Sequence, residues 1–181
     1  MAKKKQVVLG VTGSIAAYKA ADIIRRLQDK DFSVSVIMTK ASQEFITPLT
    51  LESLSGSRVY HEMFHGKNEA WEGGHIDLAQ QADVLLIAPA TANMIGKIAC
   101  GLADDLLSCT AMTTRAPVLI APAMNEAMYT NTAVQSNCQK LKEFGMTIIE
   151  PVEGKLACGV VGKGKLAEVD DIVQAVVNAA G

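Results

Sequence analysis

Short bursts of Val, Ile, Leu and Met recur at 6–11, 33–38, 84–88, 118–121 and 147–149, each ending in a small, Gly- or Pro-containing turn. Apolar runs this short that do not alternate with polar residues read as strands buried on both faces. Val59 and Tyr60 mark a sixth, weaker strand. The intervening segments carry helical spacing. Ile15, Ala16, Ala20, Ile23, Ile24 and Leu27 place one apolar stripe along a helix, ready to lie on a sheet. Thr47 and Pro48 suit a helix cap and first position, with Gly56 stopping that helix, and further helices are expected at 76–81, 92–100, 105–113, 131–144 and 170–179. Strands alternating with helices at this spacing require right-handed crossovers. The expected fold is therefore α/β, a doubly wound six-stranded parallel sheet in a Rossmann-like or flavodoxin-like three-layer sandwich. A chain of 181 residues forms one domain, 1–181, with no linker or repeat. The departure from the compact pattern is 151–165, where Gly154, Gly159, Gly162 and Gly164 make a stretch too long for an ordinary connection. Such a stretch reads as a lid or binding loop.

Composition narrows the function. The chain is 49% hydrophobic yet only 4% aromatic, so apolar surface is expected to remain for a second copy to cover, predicting a homo-oligomer. No run approaches the ~20 apolar residues of a membrane span. The net charge is -2, and Lys3 to Lys5 read as a solvated start to the first strand rather than a nucleic-acid arm. With no apolar secretion signal at the N-terminus, a cytoplasmic protein without membrane or nucleic-acid partners is expected. Cys100, Cys109, Cys138 and Cys158 contain no Cys-x-x-Cys pair, which argues against a zinc site or a disulfide framework. Cys100 and Cys109 read as packing on helix faces.

Ligands of an open parallel sheet bind beyond the carboxyl ends of its strands, so the residues just after each strand come first. Gly10-Val11-Thr12-Gly13-Ser14-Ile15-Ala16-Ala17-Tyr18-Lys19 is a small-residue turn opening a helix, a natural anion site. It matches neither the dinucleotide nor the triphosphate pattern, and in Gly162-Lys163-Gly164-Lys165 a glycine stands where Ser or Thr must follow the lysine. His61-Glu62-Met63-Phe64-His65 has the letters of a zinc-protease motif, but that motif works only on a helix. Here strand-like Val59 and Tyr60 precede it and Gly66 comes directly after, so no metal is expected. His75 follows two glycines and opens a helix whose positive end favours a neutral imidazole, able to accept a proton. Pro89-Ala90-Thr91-Ala92-Asn93 and Pro122-Ala123-Met124-Asn125 follow two strands at the same edge and offer hydroxyl, amide and backbone donors, though each could be turn chemistry alone. Cys158, between Lys155 and Lys163, sits in an electropositive setting that favours a usable thiol.

Taken together, Gly13 to Lys19, Pro89 to Asn93, Pro122 to Tyr129 and Ala157-Cys158-Gly159 resemble the homo-oligomeric flavin-containing cysteine decarboxylases. The resemblance runs from Val7 to Lys165. It implies FMN bound without a covalent bond at a subunit interface of a trimer, or of a dodecamer built from trimers. It would place FMN on Gly13, Ser14, Ile15, Thr39, Ser42, Thr91, Ala92, Asn93 and Ala123, and substrate on Asn125, Met128, Ala157 and Cys158. His75 would be the catalytic base, Asn125 would hold the substrate carboxylate, and Cys158 would donate the proton of the last step. The implied reaction oxidises 4'-phosphopantothenoylcysteine to a thioaldehyde, releases CO2 and reduces the enethiol to 4'-phosphopantetheine, a step of coenzyme A biosynthesis. Met94, Ala90, Thr91 and Tyr129 depart from residues common in the family, without removing a catalytic group. Relatives are often fused to a phosphopantothenoylcysteine ligase, so the chain is expected to be free-standing or one half of such a fusion. A peptidyl-cysteine decarboxylase, a flavin prenyltransferase and a non-catalytic FMN-binding regulatory or scaffold subunit are the rival readings. The joint presence of His75, Asn125 and Cys158 favours the first enzyme over all three.

Overall fold

The first strand, β1 (Gln6–Val11), lies at the centre of the sheet, parallel to β2 (Ser33–Met38) on one side and β4 (Val84–Ala90) on the other. The structure, a computed structural model, describes residues 4–63, 74–155, 159 and 161–181. With β3 (Val59–Tyr60), β5 (Val118–Pro122) and β6 (Thr147–Ile148), the six strands run in the order β3-β2-β1-β4-β5-β6, every pair parallel. The chain winds outward from β1 to β3, then returns to β4 and winds the other way. This reversal leaves a crevice beyond the carboxyl ends of β1 and β4, the usual ligand position in such sheets.

Alternation along the strands divides the interior into two cores. Val7, Leu9, Val11 and Leu86 face one of them. There α1 (Ala20–Asp29) buries Ala20, Ile23, Ile24 and Leu27, and α8 (Val169–Ala180) buries Val169, Ile172, Val173 and Val176. Both sets have the three- and four-residue spacing of a single helix face. Val8, Leu85 and Ile87 face the second core, with α3 (His75–Gln81), α4 (Ala92–Ala99), α5 (Leu106–Thr113) and α7 (Thr132–Glu143). All seven residues of β4 are buried, as a strand covered on both faces requires. Caps fix the helix starts: Thr47 accepts from Thr50 N ahead of α2 (Pro48–Ser55), and Asp105 and Ser108 form a reciprocal capping box on α5. No helix among the described residues is long and apolar enough to cross a membrane.

Several expectations need correction. The helix expected from Ile15 begins as a 3-10 turn, Ile15–Lys19, and becomes α-helical only at Ala20. Ile15 is 58% exposed rather than part of the apolar stripe, because the tighter turn rotates it away from the sheet. Cys100 is not packed on a helix face either; α4 ends at Ala99 and leaves it exposed as the cap. Cys109 is half-buried and its thiol donates to Ala103 O at 3.0 Å. A short helix that the sequence pattern does not announce, α6 (Glu126–Tyr129), comes after β5. His61 and Glu62 lie outside any helix, and His65 lies outside the described residues.

The largest correction concerns 151–165. Instead of a loop, most of it is an antiparallel hairpin of β7 (Val152–Lys155) and β8 (Val161–Lys165). Along β8, Gly162 and Gly164 are the inward residues. A side chain at Gly164, whose φ is +154°, would collide with the Met124 carbonyl, and one at Gly162 with the Glu126 carboxylate. The glycines therefore mark close backbone approach rather than looseness. Met124 N donates to Gly164 O at 3.0 Å, and Lys163 N to Glu126 Oε1 at 3.4 Å, docking the hairpin on the turn after β5.

A polar cluster anchors the same hairpin. Buried Tyr129 donates its hydroxyl to Glu150 Oε2 at 2.6 Å, Lys142 Nζ meets Glu150 Oε1 at 2.9 Å, and Lys163 Nζ lies 3.4 Å from Oε2. The Tyr129 hydroxyl, with the lysines adding, holds the Glu150 carboxyl down to about 2. Burial, then the Glu150 charge, pushes the Tyr129 phenol up.

Two outcomes are expected. Gly164→Ala should cost ~1–3 kcal/mol of stability, since the added methyl meets backbone that has nowhere to go. A thermal melt measures the loss, and faster hydrogen exchange at the Met124 amide locates it. In the second, the folded chain holds Glu150 ionised where the unfolded chain would be protonating it. The unfolded state thus binds more protons, and stability falls as pH drops from the ordinary 4.5 toward about 2. Melting temperatures of Glu150→Gln should fall less steeply than those of the parent across that window; parallel curves would refute the role given to Glu150.

Candidate functional site

Two hydroxyls bind the strand-end turns into one surface. Thr12, at the end of β1, is buried, and its N–H and Oγ1 both donate to Pro89 O, at 3.3 and 2.7 Å. Its Oγ1 also accepts from Thr91 N at 3.0 Å, so the β1 and β4 turns are held together at three points. Ser14 Oγ accepts from Ala16 N at 3.4 Å, capping the 3-10 turn, and donates to Ala123 O at 3.2 Å, reaching the β5 turn. Sequence reasoning missed Thr12, although its place immediately after a buried strand was the available signal.

These turns enclose a cavity of about 720 Å³. Gly13, Ser14 and Ile15 line it from the β1 turn, Thr91 and Ala92 from the β4 turn, and Ala123, Asn125 and Met128 from the segment after β5. Ala16, Tyr18, Lys19 and Met124, together with Gly164 and Lys165 of the hairpin and Leu166 just beyond it, complete the wall. Sequence reasoning expected a lid or binding loop from this stretch but did not single out Gly164, Lys165 or Leu166. Asn125 caps α6, its Oδ1 accepting from Ala127 N at 2.9 Å, so its Nδ2 amide is the donating end. That is the group suited to a carboxylate.

Other expected site residues lie elsewhere. Thr39 and Ser42 occupy the turn after β2, where Thr39 N donates to Val11 O at 3.0 Å and Ser42 Oγ to Thr39 O at 2.7 Å. This turn packs on the first one so tightly that a Cβ at Gly13 would stand 2.6 Å from the Ala41 Cβ. It supports the cavity without lining it. Asn93 is exposed on the first turn of α4. His75 is half-buried at the start of α3, a helix of the second core, and is not among the residues lining this cavity. Ala157 and Cys158 lie outside the described residues.

Exposed apolar side chains occur in both regions: Ile15 and Tyr18 on the cavity wall, and Ile76, Leu102 and Met112 on the α3 to α5 side. Among the described residues no group of three or more His, Cys, Asp or Glu side chains is placed to hold a metal ion.

Known proteins share this fold. The chain matches the flavoprotein family over residues 1–181. The coenzyme A biosynthesis bifunctional protein CoaBC of Vibrio vulnificus is 47% identical over 169 residues, 93% of this chain and 42% of that protein. The chain thus spans less than half the length of the curated relatives it matches. Among solved structures, a PPC decarboxylase mutant complexed with pantothenoylaminoethenethiol superposes with a TM-score of 0.84 at 33% identity, covering 97% of this chain and 98% of that one. The FMN binding protein AtHal3 superposes with a TM-score of 0.80 at 34% identity, covering 97% and 96%. With a match along its whole length and a parallel sheet whose switch point carries the cavity, the chain belongs to the flavoprotein family.

Proposed function

We propose that this chain is an FMN-dependent carboxy-lyase that converts 4'-phosphopantothenoylcysteine to 4'-phosphopantetheine in coenzyme A biosynthesis. It works as one domain, 1–181, in a cytoplasmic homo-oligomer, a trimer or a dodecamer of trimers. The observation that carries this reading is the cavity joining the β1 and β4 turns to Asn125 and Met128. Its volume of about 720 Å³ leaves room for a flavin and a small substrate together. The names of the relatives support the same activity, and the bifunctional ones point to a phosphopantothenoylcysteine ligase, fused or separate, as the partner that supplies the substrate.

The lining fits FMN. Gly13, Ala92 and Ala123 offer flat, small surfaces to a ring system, and the capped turn at Ser14 offers backbone donors to a phosphate. Gly13, Ser14, Ile15, Thr91, Ala92 and Ala123 would hold the cofactor, with Thr39, Ser42 and Asn93 bracing the turns around it. Bound FMN supplies the two-electron chemistry that places an electron sink beside the substrate carboxylate, without which the C–C bond has nowhere to send its electrons.

The chain's own residues do the rest. Asn125 donates its Nδ2 amide to the carboxylate and fixes its direction, while Met128 packs against the substrate. His75 takes the proton at the cysteinyl end in the opening step, Cys158 donates the last one, and Ala157, its neighbour in sequence, contributes to substrate binding. Because His75 is not on the cavity of its own chain, a neighbouring copy brings it there, burying Ile76, Leu102 and Met112 against the apolar side chains around Ile15 and Tyr18. Heterologous contact of two different patches is what a closed ring requires.

Purified protein should be yellow with FMN and release CO2 from 4'-phosphopantothenoylcysteine; protein that neither holds FMN nor takes it up would end this reading. His75→Asn should block the first oxidation. Cys158→Ala should release CO2 yet accumulate the enethiol, identified by product mass, and equal loss of CO2 in both variants contradicts the separate roles. A shared site gives a further outcome. Mixed oligomers of His75→Asn and Asn125→Asp chains should recover part of the activity that each homo-oligomer lacks, because some sites draw both intact residues from different copies.

A further inference from the structure

The cavity holds two cations at one end that the reaction itself does not use. Lys19 closes the 3-10 turn and Lys165 ends β8; both line the cavity. They converge on one carboxylate, Glu168, with Lys165 Nζ 2.8 Å from Oε1 and Lys19 Nζ 4.0 Å from Oε2. The Lys19 side chain is only 18% exposed, and its Nζ stands from Glu168 at a separation too long for a hydrogen bond. Glu168, at 55% exposure, can turn outward into solvent. The corner is thus built to hold an anion and now holds a side-chain carboxylate in that role.

Lys19 stands about 10 Å along the 3-10 turn from Ser14, at roughly 2 Å per residue. The corner is therefore separate from the capped turn where the cofactor phosphate fits. Building on the function proposed above, we propose that Lys165, with Lys19, binds the terminal phosphate of the substrate, displacing Glu168, and makes the enzyme selective for phosphorylated over dephosphorylated substrate. A dianion gains more from two ammonium groups than the single charge of Glu168 does, and the low exposure of Lys19 strengthens the attraction. Recognition at this end also orients the distant cysteinyl carboxylate toward Asn125, so binding far from the reacting bond serves its alignment.

The test compares 4'-phosphopantothenoylcysteine with pantothenoylcysteine on the FMN-loaded protein. In Lys165→Met the ratio of kcat/KM values for the two substrates should fall about tenfold or more, through KM of the phosphorylated one, and Lys165→Arg should restore most of it. FMN affinity, read by flavin fluorescence, separates the two phosphates: a variant that loses FMN while keeping its substrate ratio assigns Lys165 to the cofactor and overturns the proposal. On the unaltered protein, KM for the phosphorylated substrate should rise with salt more steeply than for the other, a measurement independent of how any variant folds. Equal salt dependence, or an unchanged ratio in Lys165→Met, also overturns it. Failure of the unaltered protein to release CO2 from either substrate is a different result and counts against the enzyme reading itself.

Discussion

The site depends on the hydroxyl of Thr12. A parallel sheet leaves its strand ends as separate turns, each with backbone groups that need partners, and nothing in the sheet ladder extends to them. Thr12 Oγ1 donates to Pro89 O and accepts from Thr91 N, using both sides of one oxygen to join β1 to β4 across the switch point. Ser14 repeats the device toward Ala123. The cavity wall is therefore one hydrogen-bonded surface, and the small residues along it follow from the need to keep the turns within bonding distance. Replacing Thr12 by Val, similar in shape, would take this oxygen from the Thr91 amide and leave the Pro89 carbonyl only the longer bond from the residue 12 N–H.

The hairpin is the second constraint. It brings Lys165 and Leu166 to the cavity and leads on to α8, and it is docked by backbone at Met124 and by the Tyr129–Glu150 cluster at its base. Strand β8 presents glycines inward and longer side chains outward, the reverse of an ordinary amphipathic strand. With backbone as the docking partner, the inward face has to be bare.

Much of the sheet could be read from the chain because its strands are unusually explicit. Val7 to Val11 and Val84 to Ala88 are apolar without interruption, a pattern that only burial on two faces explains. The Thr47–Pro48 start of α2 was equally plain, since cap and first position are local chemistry. What escaped the sequence was long-range. Gly162 and Gly164 looked like flexibility because the carbonyl and carboxylate that crowd them are distant in the chain. Thr12 looked like one small residue among several, and Lys165 and Lys19 are 146 positions apart yet share one glutamate. The residues around Ser14, Thr91 and Asn125 were singled out from their positions after strands and do line the cavity, whereas His75 was singled out from its helix start, which says nothing about where it lies relative to that cavity.

The hairpin's way of docking has a consequence for how such a chain can change over time. Because Gly164 meets Met124 through main-chain atoms, the side chain at position 165 can be exchanged without disturbing that attachment. Lys165, next to that glycine, lines the cavity and is separable from the scaffold that holds Asn125, whereas Lys163 belongs to the Glu150 anchor. A change at position 165 can therefore alter one wall of the cavity while the turns at Gly13, Thr91 and Ala123 stay as they are. A fold arranged this way can remodel its cavity by single substitutions that leave the hairpin docked.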